Sequence, residues 1–195
     1  MKFFKKKSET SQRLSKAVAV ASSRLTLPAA ILVAGATNED NTERVAVELA
    51  GQFLEAAYRV GYVALGTSRK KMQVPETVMM LNSSGFSQNP SAGDFEARMQ
   101  KWRASVDVVI IDAPSFQADP MALRFGPFVD GVIVALRAGR AVRPEDGELA
   151  EVLRSLRAVL LGVVTTQQQK QLRAPKDGPA IVTITAEPRS ALSRV

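Results

Sequence analysis

Two stretches of the chain carry residues whose types and spacing could do chemistry. In ILVAGATNEDNTERVAVELA, residues 31–50, an apolar run, a sharp polar loop and a helical pattern follow one another. That is how phosphate-binding loops are built, with backbone N–H groups at a helix start turned toward an anion. The loop reads Asn38, Glu39, Asp40, Asn41, Thr42, Glu43. In the second stretch, VDVVIIDAPSF, an apolar run ends in Asp112, with Pro114 two residues on. A carboxylate there can hold a cation or simply close the turn after a buried strand, and the turn is the favoured reading. The chain has no cysteine and no histidine, which excludes disulfides, thiolate nucleophiles and zinc–cysteine sites. It also removes the commonest general base and metal ligand. Any catalysis would rest on carboxylates, Lys, Arg, Tyr or hydroxyls.

A working phosphate-binding loop needs G-x-x-x-x-G-K-[ST] for physical reasons. Glycines let the backbone wrap the phosphates, the lysine neutralises the terminal oxygens, and the hydroxyl holds Mg²⁺. Here the last glycine position is Asn41, the lysine position Thr42 and the hydroxyl position Glu43. A carboxylate about 4 Å from a phosphate charge costs roughly 4 kcal/mol at an effective dielectric near 20. Glu39, Asp40 and Glu43 together would outweigh a helix-dipole attraction of roughly 1 kcal/mol. The same residues suit a helix start with no ligand: Asp40 can cap the helix, and Glu43 three residues on completes a D-x-x-E box. The expectation is a self-capped loop with no catalytic residue, no metal and no cofactor. A rival reading keeps ATP and Mg²⁺, with Asp112 and Glu43 as the metal ligands.

The elements that must position these residues are legible from residue 28 onward. Strand patterns fall at 29–34, 61–65, 106–111, 131–136 and 159–164, with a weaker one at 181–184. Three are near-continuous Val/Ile/Leu runs, as in strands covered on both faces. Helical patterns fall at 42–58, 94–104, 119–128 and 144–157. Asp119-Pro120 reads as a cap and first turn, and Pro144 opens a helix with acids at its start and Arg154 and Arg157 near its end. A short helix at 77–81 is expected inside a long polar surface segment, and Trp102 is expected to pack its helix on the sheet. Strand–helix alternation gives an α/β fold with a doubly wound, mainly parallel sheet flanked by helices. The domain spans 29–186, with a loose tail at 187–195.

Charge separates the first 28 residues from the rest. The net charge is +7, and the N-terminal arm sets Lys2, Lys5, Lys6, Lys7, Arg13 and Lys16 against the single acid Glu9. Leu14, Val18, Ala21 and Leu25 share one helical face, and Phe3-Phe4 precede them. The arm reads as a contact for an anionic membrane surface, as a partner-docking segment, or as a solubilising tail. It lacks the pattern of a signal peptide, and no apolar run reaches membrane-spanning length. The expected place is the cytoplasm, at the inner face of the cell membrane. Arg137, Arg140 and Arg143 could form an anion site, a solvated loop being favoured, and Gln167–Gln169 read as a polar loop. The recognition motifs of nucleic-acid binders are absent.

Three segments together resemble the bacterial tyrosine kinase domain of capsule and exopolysaccharide systems, within the MinD/ParA branch of P-loop ATPases. AGATNEDNTERVAVELA aligns without gaps with that family's strand, Walker A loop and helix. VDVVIIDAPSFQADPMALRFGPFVDGVIVALRAG matches its Walker B strand, following helix and next strand, and VLLGVVTT matches a late strand. The resemblance runs from about residue 27 to 166 and implies a P-loop NTPase-like fold. The chain departs from the family at Thr42 and Glu43. It departs again at Gly66, Thr67 and Ser68, where an Asp-x-Asp belongs, and at Thr165 and Thr166, where an adenine-reading Asn belongs. Its only tyrosines are Tyr58 and Tyr62, so the C-terminal tyrosine cluster is missing. Asp112 and Pro114 are the Walker B-like remnant. The resemblance thus implies the fold and a pathway, with the cytoplasmic part of a membrane polysaccharide co-polymerase as partner, and the departures argue for a catalytically inactive pseudokinase. Relatives assemble through this domain, so homo-oligomers fit. The alternatives are an atypical ATPase or kinase of the same pathway and a ParA/MinD-like positioning protein.

Overall fold

The computed structural model describes residues 23, 25–65, 74–81, 91–119, 124–139, 141–155, 159–166 and 183–185. Within these, the order of strands across the sheet is β3-β2-β4-β1-β5-β6-β7. They are β1 (Ala29–Gly35), β2 (Val60–Ala64), β3 (Met79–Met80), β4 (Val108–Asp112), β5 (Gly131–Arg137), β6 (Leu160–Thr166) and β7 (Thr183–Thr185). The first six run parallel, and β7 pairs antiparallel to β6 at the edge.

β1 lies between β4 and β5, and every residue of AAILVAG is buried. Both its faces are covered, which is why the run is continuously apolar and not alternating. Ile31 and Val33 point to one face, where they meet Val45, Leu49 and Phe53 of helix α1 (Thr42–Glu55). Ala30, Leu32 and Ala34 point to the other, toward Phe95, Met99 and Trp102 of α2 (Ala92–Ser105) and Leu149 and Leu153 of α3 (Pro144–Ser155). The sheet is therefore doubly wound, as the strand–helix alternation implies. Trp102 is buried and stacks on Phe125, which in turn meets Phe95 edge to face.

The helix ends explain where the patterns stop. At α2, the Ser91 hydroxyl accepts from the Asp94 N–H and the Asp94 carboxylate accepts from the Ser91 N–H, a reciprocal box. α1 ends at Glu55, three residues short of the apolar pattern, because Ala57 turns left-handed at φ 65°. Its N–H reaches the Leu54 carbonyl, the Tyr58 N–H reaches the Phe53 carbonyl, and the Phe53 and Tyr58 rings meet at 5.7 Å. These are the two bonds and the apolar contact of a Schellman ending.

Two expected helices differ. Residues 77–81 form no helix: a turn leads into the two-residue strand β3, with Met79 and Met80 exposed. Leu81 then folds over Gly61, whose missing Cβ would sit 2.5 Å from a Leu81 methyl. A pattern of two strand residues has no period to read, and the close approach over Gly61 is made across strands. Of the helix expected at 119–128, the described part ends in a short 3₁₀ turn, Gly126–Phe128, with Pro127 inside it. Pro120 lies outside the described residues, as do most of the arm and the C-terminal tail.

Candidate functional site

The C-terminal ends of β1, β4, β5 and β6 converge on the loop of residues 36–41. In an open parallel sheet this is the edge where ligands bind. The loop is held by one residue above all. Asp40 is fully buried, and its Oδ2 accepts from the Thr37 N–H at 2.8 Å and from the Thr37 hydroxyl at 3.2 Å. Its Oδ1 accepts from the Arg137 N–H, at the end of β5, at 2.8 Å. Its carbonyl oxygen accepts from the Thr166 hydroxyl, at the end of β6, at 3.2 Å. Charge-assisted bonds of this kind are the strong ones.

This arrangement replaces the helix cap expected from Asp40 and Glu43. The N-cap is Asn41, in the left-handed region at φ 55° and ψ 50°, and its side chain makes no capping bond. The Asp40 carboxylate is turned back onto Thr37 and across to β5. The loop is thus self-bonded, but through a different set of donors. Asn41 stands where the resemblance puts the last loop glycine, and Asn tolerates this backbone region better than most residues. Gly35 is needed beneath the loop, since a Cβ there would lie 2.8 Å from the Asp40 Cβ and 3.2 Å from its Oδ2.

The neighbours of the loop are also paired. The Arg137 guanidinium donates to the Glu39 carboxylate at 2.7 Å, so this arginine faces an internal acid in place of an external anion. The Ser115 hydroxyl donates to the Asn38 side-chain oxygen at 2.7 Å, and the Phe116 N–H donates to the Gly35 carbonyl. The segment after Asp112, through the half-buried Pro114, is thereby laid along the loop.

Asp112 ends β4 facing α1. It is 7% exposed, and its Oδ2 accepts from the Tyr62 hydroxyl at 3.0 Å. Burial pushes its carboxyl up to about 6, with the Glu43 charge adding to the rise and the Tyr62 and Thr42 hydroxyls opposing it. Thr42 lies near enough to act electrostatically, yet Oδ1 makes no hydrogen bond of normal geometry. The Tyr62 phenol is held well above its ordinary value by its burial, then by the Asp112 charge.

Of the residues picked from the sequence, Asn38 to Glu43, Asp112 and Pro114 thus gather at one place. The Arg143 N–H is bonded to Asp146 at the start of α3. Lys2, Phe3, Phe4, Lys5, Lys6, Lys7, Arg13, Lys16, Arg140, Gly66 to Ser68 and Gln167 to Gln169 are outside the described residues. Sequence reasoning missed the donor role of Thr37, and missed Tyr62, Ser115 and Thr166 as partners. Tyr62 had a signal, since two-residue alternation along β2 sets it on the α1 face with Val60.

For a nucleotide phosphate the loop is a poor fit. The Thr37 and Arg137 N–H groups already hold a carboxylate, and no lysine follows Asn41.

By sequence, no family model and no curated protein matches the chain. Solved structures do. A chimerical protein, CapA2B2, superposes with a TM-score of 0.67 at 17% identity, over 83% of this chain and 86% of that one. The kinase domain of the Escherichia coli tyrosine kinase ETK gives 0.61 at 14% identity, over 83% and 76%. The chain has the P-loop fold of bacterial tyrosine kinase domains. The BceF tyrosine kinase domain matches at 0.53 and 16% identity, over 80% of this chain and 73% of that one. Identities this low establish the fold and leave the chemistry to the residues of the site.

Proposed function

We propose that this chain is a catalytically inactive tyrosine-kinase-like protein. In this reading it is the cytoplasmic partner or regulator of a membrane polysaccharide co-polymerase in exopolysaccharide or capsule biosynthesis. The single observation that supports the loss of activity is the buried Asp40 carboxylate, bonded to loop and strand N–H groups in the loop that the resemblance aligns with Walker A. The partner follows from the family resemblance of the sequence. The basic arm, residues 1–28, would supply contact with that partner or with the inner face of the membrane. In this reading the membrane contact is peripheral, made through the arm; among the described residues no helix is long and apolar enough to cross a bilayer.

Calorimetry with Mg-ATP tests the first half: no heat is expected at millimolar nucleotide, and micromolar binding would overturn it. Co-purification with the cytoplasmic part of the co-polymerase tests the second, together with liposome co-sedimentation with and without residues 1–28. Unchanged sedimentation on truncation removes the membrane role. One observation favours a second reading, an atypical ATPase: Asp112 presents a buried oxygen without a hydrogen bond near Glu43, the pair that reading would use to hold Mg²⁺. The same calorimetry, run with Mg²⁺ alone and with Mg-ATP, separates the two.

A further inference from the structure

The cradle at the end of β1 is shaped for a side chain of this protein. Gly35 leaves room for the Asp40 side chain, which a Cβ at that position would strike at 2.8 Å. Two main-chain N–H groups from separate segments, Thr37 in the loop and Arg137 at the end of β5, converge on its two carboxylate oxygens. The Thr37 hydroxyl adds a third donor, and Thr166 of β6 takes hold of the Asp40 carbonyl. A carboxylate resembles an inorganic anion in the respect that matters here: it presents oxygens that accept from both sides at once.

We propose that Asp40 is a built-in anion, which fills the anion cradle of this fold and clasps the loop to β5 and β6 with no ligand bound. The clasp deepens the non-catalytic reading and rests on it. It makes the conformation of this edge independent of nucleotide, because the group that orders the loop is covalently part of the chain. An incoming phosphate would have to withdraw a buried carboxylate from its donors before it met them.

The test is amide hydrogen exchange on the full chain, read at Thr37 and Arg137, with Ile110 in β4 as the internal control. Asp40→Asn keeps the size but replaces one acceptor oxygen by an NH₂ group, so one of the two N–H groups must lose its partner. Exchange at the affected amide is expected to quicken by about 10- to 100-fold, the range for losing a hydrogen bond to a charged group, beyond any change at Ile110, which reports global opening. Gly35→Ala reaches the same clasp by steric displacement and should speed both amides. Thr37→Val removes only the hydroxyl donor and should leave Arg137 slow. If Asp40→Asn does not fold, Gly35→Ala carries the test. Unchanged exchange at Thr37 and Arg137 in whichever variant folds overturns the clasp. Should wild-type protein bind Mg-ATP while the variants still open these amides, the non-catalytic reading and the independence from nucleotide fail, and only the clasp of the unliganded loop stands. If neither ATP binds nor the amides respond, only the clasp fails.

Discussion

Replacing Asp112 by asparagine should stabilise the protein at neutral and alkaline pH, and the gain should disappear in acid. The carboxyl is buried at the end of β4, is pushed from 3.8 up to about 6 by that burial, and meets the Glu43 charge. A group whose native value lies above its unfolded value contributes its full stability below the unfolded value. That contribution is lost as the pH rises through the native one. From 3.8 to about 6, at 1.36 kcal/mol per pH unit, the whole loss is about 3 kcal/mol. About 1 kcal/mol of it has gone by about pH 4.5, so the loss between about pH 4.5 and pH 8 is about 2 kcal/mol. Asparagine fills the same space, still accepts from Tyr62, and offers its NH₂ toward Thr42, without a charge to bury. The assay is urea unfolding of wild type and Asp112→Asn across that pH range. With a slope of about 2 kcal/mol per molar, the midpoint difference should grow by about 1 M in favour of the variant. Midpoints that run parallel from acid to alkaline would show that Asp112 is ionised at little cost, and the burial argument would fall.

Three further outcomes follow from the same contacts. Tyr62→Phe removes the donor to Asp112 and should cost about 1–3 kcal/mol near pH 8 but less near pH 5, where the carboxyl is largely neutral, as paired chemical denaturation would show. Ala57→Gly relieves a left-handed alanine on an exposed turn and should raise stability by about 0.5–1 kcal/mol, measured the same way, with no change in α1. Phe125→Ala empties the site between Trp102 and Phe95 and should cost about 3–5 kcal/mol, with a shift in the fluorescence of the single tryptophan.

The sheet was legible because its strands are buried on both faces and so spell themselves as continuous apolar runs. β1 and β5 fall within a residue of the runs that announce them. β4 starts two residues later than its run because Val106 closes α2 and Asp107 turns to Arg59, an ion pair between residues far apart in the chain. β3 was not legible, since its place depends on Leu81 packing over Gly61. The candidate loop shows the same division. Its charge pattern, and the conflict of that charge with a phosphate, are local facts that the letters carry. The partners of Asp40 are not local: Arg137 lies 97 residues further on and donates from its main chain, so its side-chain identity gives no hint. Local reasoning therefore assigned Asp40 to the nearest N–H groups, those of the helix it precedes.

The donors change the reason for which the proposed reading excludes a phosphate. Counted from the sequence, Glu39, Asp40 and Glu43 are three like repulsions. In the folded loop they differ: the Glu39 charge is paired with Arg137, Asp40 is spread over main-chain donors, and Glu43 acts on Asp112 from the start of α1. Repulsion summed over all three overstates the role of Glu39, since its charge is balanced within 2.7 Å. In the proposed reading, what would stand in the way of an anion is the occupation of the Thr37 and Arg137 N–H groups by Asp40. Neutralising Glu39 and Glu43 together, as Glu39→Gln with Glu43→Gln, lowers the repulsion but leaves those donors taken. Calorimetry with inorganic pyrophosphate should therefore register no binding to that double variant at millimolar ligand. Binding there would mean that charge at the loop governs access, through the lost repulsion or the released Arg137 guanidinium, and the N–H donors would be incidental.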